Sequence, residues 1–227
     1  MTFTFRSRLA GEFLGTAFLL MAVVGSGIMG ERLAGGNIAV ALLANSVATG
    51  AALVALILAL SPISGAHFNP VVTLASAMQG GMKWSQVPAY TGAQILGAFS
   101  GVAGAHLMFG LPLFFSSHHA RSGGAALWSE FVATFGLLLI ILGCERAHSS
   151  AVAFAVGAYI AAAYWFTAST SFANPAVTLA RVASDTFAGI RPVDAPGFIV
   201  AQGAGAVAAT LCFRWLAGQL RPVPASK

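Results

Sequence analysis

Charge is scarce in this chain. Only 7% of its 227 residues are Asp, Glu, Lys or Arg, whereas a soluble domain carries about a quarter. There is too little polar surface to keep a domain of this length in water. Cysteine is scarce too: Cys144 and Cys212 are the only two, too few and too far apart for a disulfide framework or a cysteine metal site. No nucleophile–base pair and no metal-ligand cluster stands out, which argues against an enzyme and predicts no metal and no cofactor. The basic residues outnumber the acidic ones, 11 to 6, but they are scattered, with no stripe or dense run. That pattern speaks against nucleic-acid binding and for positive loops that set a membrane topology.

Apolar length is abundant. Hydrophobic residues make up 58% of the chain and the mean hydropathy is +0.84. Long apolar stretches run over Leu9–Gly30, Ile38–Leu60, Val87–Phe109, Ala126–Cys144, Ser149–Thr167 and Pro196–Gly218. Each is about 18–23 residues, the length that a ~30 Å hydrocarbon layer requires of a helix. Arg6 and Arg8 before the first stretch give it a look of a signal peptide, but its length and the spans that follow favour an uncleaved first helix. The lipid bilayer is the partner this pattern implies.

Two apolar segments are too short to span. Pro70–Gly80 and Pro175–Phe187 each begin at an Asn-Pro pair, Asn69-Pro70 and Asn174-Pro175. Asn is a good helix N-cap, and Pro suits the first turn, where its missing N–H costs nothing. At about 11–13 residues, each reaches halfway through a bilayer. Surface helices are the plainer alternative, but residues 70–80 contain no charge with which to face water.

The halves of the chain resemble one another in order. Glu12-Phe13 matches Glu130-Phe131, SGAHFNPVVTLA at 64–75 matches STSFANPAVTLA at 169–180, and AQILGA at 93–98 matches AQGAGA at 201–206. Three spans per repeat, about 1–110 and about 126–220, force the second repeat to insert upside down. Inverted repeats of this kind belong to membrane transport folds. The two Asn-Pro starts then meet near the midplane, and the non-helical 64–68 and 169–173 segments before them require a protein-lined, wet path. Counting Lys and Arg with the N-terminus inside gives Arg6, Arg8, Lys83, Arg146, Arg214, Arg221 and Lys227 on the inner side and Arg32, Arg121, Arg181 and Arg191 on the outer. The excess favours cytoplasmic termini. Trp84, Trp128, Trp165 and Trp215 all fall at predicted span ends, where an aromatic belt belongs.

At these residues the whole chain resembles the major intrinsic protein family of aquaporins and aquaglyceroporins. Its paired Asn-Pro-Ala motifs appear as Asn69-Pro70-Val71, a departure, and Asn174-Pro175-Ala176, a full match. The resemblance implies an all-α membrane bundle of six helices and two re-entrant half-helices, and a homotetramer with a pore in each subunit. Gly11 and Gly15, and Gly97 and Gly101, have the spacing that close helix crossings use. Asn69 and Asn174 are expected to cap their half-helices and point N–H groups into the pore, where the positive helix ends repel cations. Gly65, Ala66, His67, Phe172 and Ala173 are expected to line it, with carbonyls of 64–67 and 169–172 as acceptors. Glu12 and Glu130 are ionisable groups inside spans, for which a proton relay is one reading and a brace for the re-entrant loops is the family's. His67 reads as a loop anchor or a pH gate, and His118-His119 as polar loop filling or a metal or pH sensor.

Counting from the motifs assigns the family's four selectivity positions to Thr49, Ala162, Ser171 and Val177. Most members carry Arg at the last. All four residues here are small and uncharged, which predicts a wide, weakly polar constriction without its usual cationic barrier. Thr178 stands where glycerol facilitators have Asp. The pattern resembles bacterial aquaglyceroporins linked with arsenic resistance, set in the inner membrane. It implies passive passage of water, glycerol-like polyols and neutral metalloid hydroxides such as arsenous acid and methylated trivalent arsenicals. A water-selective pore, an ion-coupled transporter and a closed structural protein are the alternatives.

Overall fold

The computed structural model describes residues 3–218, and the Arg221 and Lys227 counted above lie outside the described residues. Six long helices are present: α1 (Phe5–Leu33), α2 (Ile38–Ser64), α4 (Val87–Met108), α5 (Gly124–Ala147), α6 (Val152–Phe166) and α8 (Ala195–Gly218). Two short ones, α3 (Pro70–Met78) and α7 (Pro175–Arg181), complete the bundle. Their starts follow the local chemistry. Thr4 Oγ1 accepts from Ser7 N at 3.1 Å to open α1, Asn37 Oδ1 accepts from Ala39 N and Val40 N to open α2, and Gly65 closes α2 at φ 91°, a conformation that favours glycine.

Five of the long helices, counting the turn at 149–151 with α6, are long and apolar enough to cross a membrane. α4 is a sixth of similar length, 22 residues, but it does not meet that standard of apolarity. Its buried Tyr90, Gln94 and His106 dilute it, and each is spent on a partner inside the protein. The outward faces are apolar, that of α4 included: Leu14, Phe18, Val47, Leu96, Val200 and Leu211 are all about half exposed or more, which suits hydrocarbon rather than water. The four tryptophans stand exposed at or beside the ends of α4, α5, α6 and α8.

The packing is two-fold in pattern. α1 lies against α4 and α2, as α5 lies against α8 and α6. α2 meets α6, α3 meets α7, and each short helix also packs on the last long helix of the opposite half, α3 on α8 and α7 on α4. Gly97 and Gly101 let α4 touch the α1 backbone at Phe13 and Ala17, where any Cβ would overlap a carbonyl oxygen. Gly15 has a different use from the crossing expected of it: its open face receives the Phe68 ring, so it seats the first re-entrant loop.

Both short helices end earlier than their sequence suggests. α3 stops at Met78, and Gly80 at φ 81° turns the chain. α7 stops at Arg181, and residues 182–187 continue as turns stitched to the long loop before α5. Phe115 N and Ser117 N donate to Ala183 O and Val182 O there, backbone bonds that a longer helix would have had to forgo.

Candidate functional site

The two segments before the Asn-Pro pairs adopt a backbone that L-residues avoid. Ala66 and Phe68 in the first, and Thr170, Ser171 and Ala173 in the second, all have φ between 46° and 62°. Such residues persist where their surroundings over-determine them. The surroundings here are two buried carboxylates. Glu12 accepts from Ser64 Oγ (2.7 Å), His67 N (3.0 Å), Phe68 N (2.7 Å) and Gln94 Nε2 (2.7 Å). Glu130 accepts from Phe172 N (2.8 Å), Ala173 N (2.8 Å) and Gln202 Nε2 (2.7 Å). Gln94 and Gln202 also donate to Thr73 and Thr178 of the short helices, both at 2.9 Å. Each half thus ties a long helix, a loop and a half-helix to one acid, with every carboxylate oxygen engaged.

At the centre, Asn69 and Asn174 do two things each. Asn69 Oδ1 caps α3 by accepting from Val71 N at 3.1 Å, and Asn174 Oδ1 caps α7 by accepting from Ala176 N at 3.0 Å. Their amide nitrogens then cross between halves: Asn69 Nδ2 donates to Ala173 O at 2.7 Å, and Asn174 Nδ2 donates to Phe68 O at 2.8 Å. Each amide keeps a second N–H, and both asparagines line one cavity. The space in it open to the centres of water-sized molecules is about 90 Å³. Pro70, Val71, Pro175 and Ala176 lie behind this lining, in the first turns of the two short helices.

The cavity lining is of two kinds. Leu53, Ile57, Leu137, Ile141, Val156 and Ile160 of the long helices give it aliphatic side chains; Gly65, Ala66, His67, Ser171, Phe172 and Ala173 bring the loop backbones to it. Among the described residues nothing donates to the carbonyls of 65–67 or 170–172. The flanking carbonyls expected to join that row are occupied, Ser64 O by the Tyr90 hydroxyl and Ser169 O by Arg121. His67 is held by its Nδ1 against Thr73 Oγ1 at 3.0 Å.

Thr49, Ser171 and Val177 all line the cavity. Ala162 does not join them. It lies on the exposed outer face of α6, and Tyr164 takes the inner place, its hydroxyl 3.2 Å from Thr49 Oγ1. Two residues along a helix are about 200° apart, so the counted position and the lining one face opposite ways. Ser171 Oγ is buried with no hydrogen-bond partner among the described residues. Arg181, which the sequence places among outer-side charges, is 2% exposed and lines the same cavity. Its spacing of four from Val177 was the available clue, since such pairs share a helix face. We expect Tyr164→Ala to raise glycerol entry into vesicles by about tenfold, a barrier change of about 1.4 kcal/mol, and Ala162→Val to leave it unchanged. Equal effects of the two substitutions would move the constriction off Tyr164.

The loop before α5, which passes near Arg181, is held by polar contacts. His118 Nδ1 lies 3.0 Å from Asp185 Oδ2, and donation from the His118 backbone N–H holds the Asp185 carboxyl below its usual range. Burial, with Arg121 and Arg181 nearby, pushes the His119 imidazole below its ordinary value, which keeps it neutral near pH 7.

Residues 1–150 match the model of the major intrinsic protein family. The chain is 52% identical over 221 residues to the aquaglyceroporin AqpS of Rhizobium meliloti (strain 1021), covering 97% of this chain and 94% of that protein. It is 34% identical over 182 residues to aquaporin NIP1-3 of Oryza sativa subsp. japonica, covering 77% of this chain and 63% of the plant protein. The X-ray structure of the aquaglyceroporin from Plasmodium falciparum shares the fold, with a TM-score of 0.74 over 96% of this chain and 97% of that one at 23% identity. With its helical bundle, its crossed asparagines and these relatives, the chain belongs to the major intrinsic protein family, whose members are membrane channels and not enzymes.

Proposed function

We propose that this protein is a passive channel for small uncharged solutes: water, glycerol-like polyols and neutral trivalent metalloid hydroxides such as arsenous acid. The observation that carries this reading is the mixed lining of the cavity, aliphatic side chains together with loop backbone. A polyol presents carbon on one side and hydroxyls on the other. The aliphatic side chains suit the carbon, and the unpaired carbonyls, the Ser171 hydroxyl and the spare asparagine N–H groups suit the hydroxyls. Val177 is the residue after the second motif and lines the cavity, as do Thr49 and Ser171. We take these three with Tyr164 as the selectivity ring. A hydroxylated metalloid of glycerol size meets the same mixed lining, and the short side chains of Thr49, Ser171 and Val177 leave it room beside Tyr164. The pore-lining roles of Asn69, Asn174 and the loops, the two repeats and a homotetramer with cytoplasmic termini in the inner membrane belong to the same proposal.

Coupled transport is disfavoured by the crossed Asn69–Ala173 and Asn174–Phe68 bonds. Rocking one half against the other would break both, in a setting where unsatisfied polar groups are costly. Stopped-flow light scattering on proteoliposomes tests the proposal with water, glycerol and arsenous acid. We expect entry of all three well above that into protein-free vesicles and independent of proton or sodium gradients. Fast water with no solute entry would make it a water channel, and gradient-dependent flux would make it a transporter.

A further inference from the structure

Arg181 is a buried cation for which the channel reading has so far found no task. It ends α7, one turn and about 6 Å beyond Val177. Helical side chains lean toward their own N-terminus, so the Arg181 side chain runs back along α7 toward the selectivity ring. Its guanidinium carbon sits 3.4 Å from the ring centroid of Phe172, the neighbour of Ser171. Its Nε donates to Ala188 O, while none of the described residues accepts from its two terminal nitrogens. The ion pairs among the described residues are His118–Asp185 and Arg191–Asp194, and neither involves it.

A second arginine throws this into relief. Arg121 lies 5.0 Å from the same Phe172 ring, but its nitrogens are consumed. They donate to Gly189 O, Ser169 O, Thr170 Oγ1 and Phe187 O. Arg121 therefore clamps the loop, and Arg181 faces the cavity with donors to spare. The buried acid on this side, Glu130, has both oxygens engaged by Phe172 N, Ala173 N and Gln202, so it does not pair with either guanidinium. A guanidinium stays charged near pH 7, and beside a narrow, poorly screened path it opposes a passing cation.

Resting on the channel reading above, we propose that Arg181 is the specificity-determining residue that excludes cations from this pore and donates to solute hydroxyls at its ring, one helical turn away from the uncharged Val177. The loss of charge at position 177 is then a relocation of the barrier, which frees width at the ring and keeps the sign of the local potential.

The test measures guanidinium and glycerol entry into the same proteoliposomes. Wild-type vesicles should pass glycerol and admit guanidinium no faster than protein-free vesicles. Arg181→Met, which keeps length and removes charge, should raise guanidinium entry at least tenfold, and Arg181→Lys should restore exclusion. Because a buried arginine also supports folding, Arg181→His supplies a second readout within one folded protein. Guanidinium should be excluded at about pH 5.5 and admitted at about pH 8, either side of the ordinary imidazole value of ~6.5. Wild type measured at both pH values controls for the other titratable groups around this position, His119, Arg121, Glu130 and Tyr164. Guanidinium entry through wild type, or equal exclusion by the His variant at both pH values, overturns the proposal. Absent glycerol entry in wild type would instead overturn the channel reading.

Discussion

Val177→Arg should lower glycerol and arsenous acid entry at least tenfold, about 1.4 kcal/mol of added barrier, while water entry falls less. Val177 is 4% exposed and lines the cavity with Thr49, Tyr164 and Ser171. That space already receives the Arg181 guanidinium on the Phe172 ring. A second guanidinium one turn earlier fills the width that Val177 leaves beside Tyr164 and sets like charges beside one another in a poorly screened site. A water molecule needs less width than a polyol, so the two fluxes should separate. Stopped-flow entry of the three solutes reads the effect. Unchanged selectivity in the variant would place Val177 away from the constriction.

The second large effect is on stability. Glu130→Gln should cost roughly 3 kcal/mol, since a buried donor stripped of its acceptor costs about 1–3 kcal/mol and more for a charged partner. Glu130 is fully buried and accepts through both oxygens. Glutamine offers one acceptor end and one donor end, and whichever way it turns, its NH₂ faces an N–H of Phe172, or those of Ala173 and Gln202. Ser171 and Ala173, held at positive φ beside these bonds, would then relax. Thermal unfolding in detergent and the yield of folded protein check this, and Glu12→Gln should behave alike, since Glu12 serves four donors. A variant that folds with an unchanged midpoint and alters only proton movement would turn the brace into a relay.

Most of the architecture was legible because it rests on strong local signals. Apolar length marks spans, Asn-Pro marks a capped helix start, and the recurrence of Glu12 and Glu130 with the two motifs marks the inverted pattern. The symmetric bonds of the two acids give that recurrence its physical content. The site was harder to read where it depended on rotation about a helix axis. Counting back from Asn174 reaches Ala162, but lining the cavity requires the opposite face of α6, and that is set by how Tyr164 meets Thr49 on α2. Arg181 was hidden for a related reason. Expecting a helix to Phe187 puts it mid-element among outer charges, whereas the early stop lets residues 182–190 fold over it and bury it. Burial of a charge by a returning loop leaves no trace in periodicity.

The crossed asparagine bonds also set an order of assembly. Phe68 sits at φ 49°, and its carbonyl is met by Asn174, 106 positions later in the chain. When the first three long helices leave the ribosome, that partner has not been made. The first re-entrant loop can gather on Glu12, but its tip stays unfinished until the second half arrives from the opposite side. A half-made chain is therefore a bundle whose two re-entrant tips are not yet joined, since both crossed bonds need residues 173 and 174.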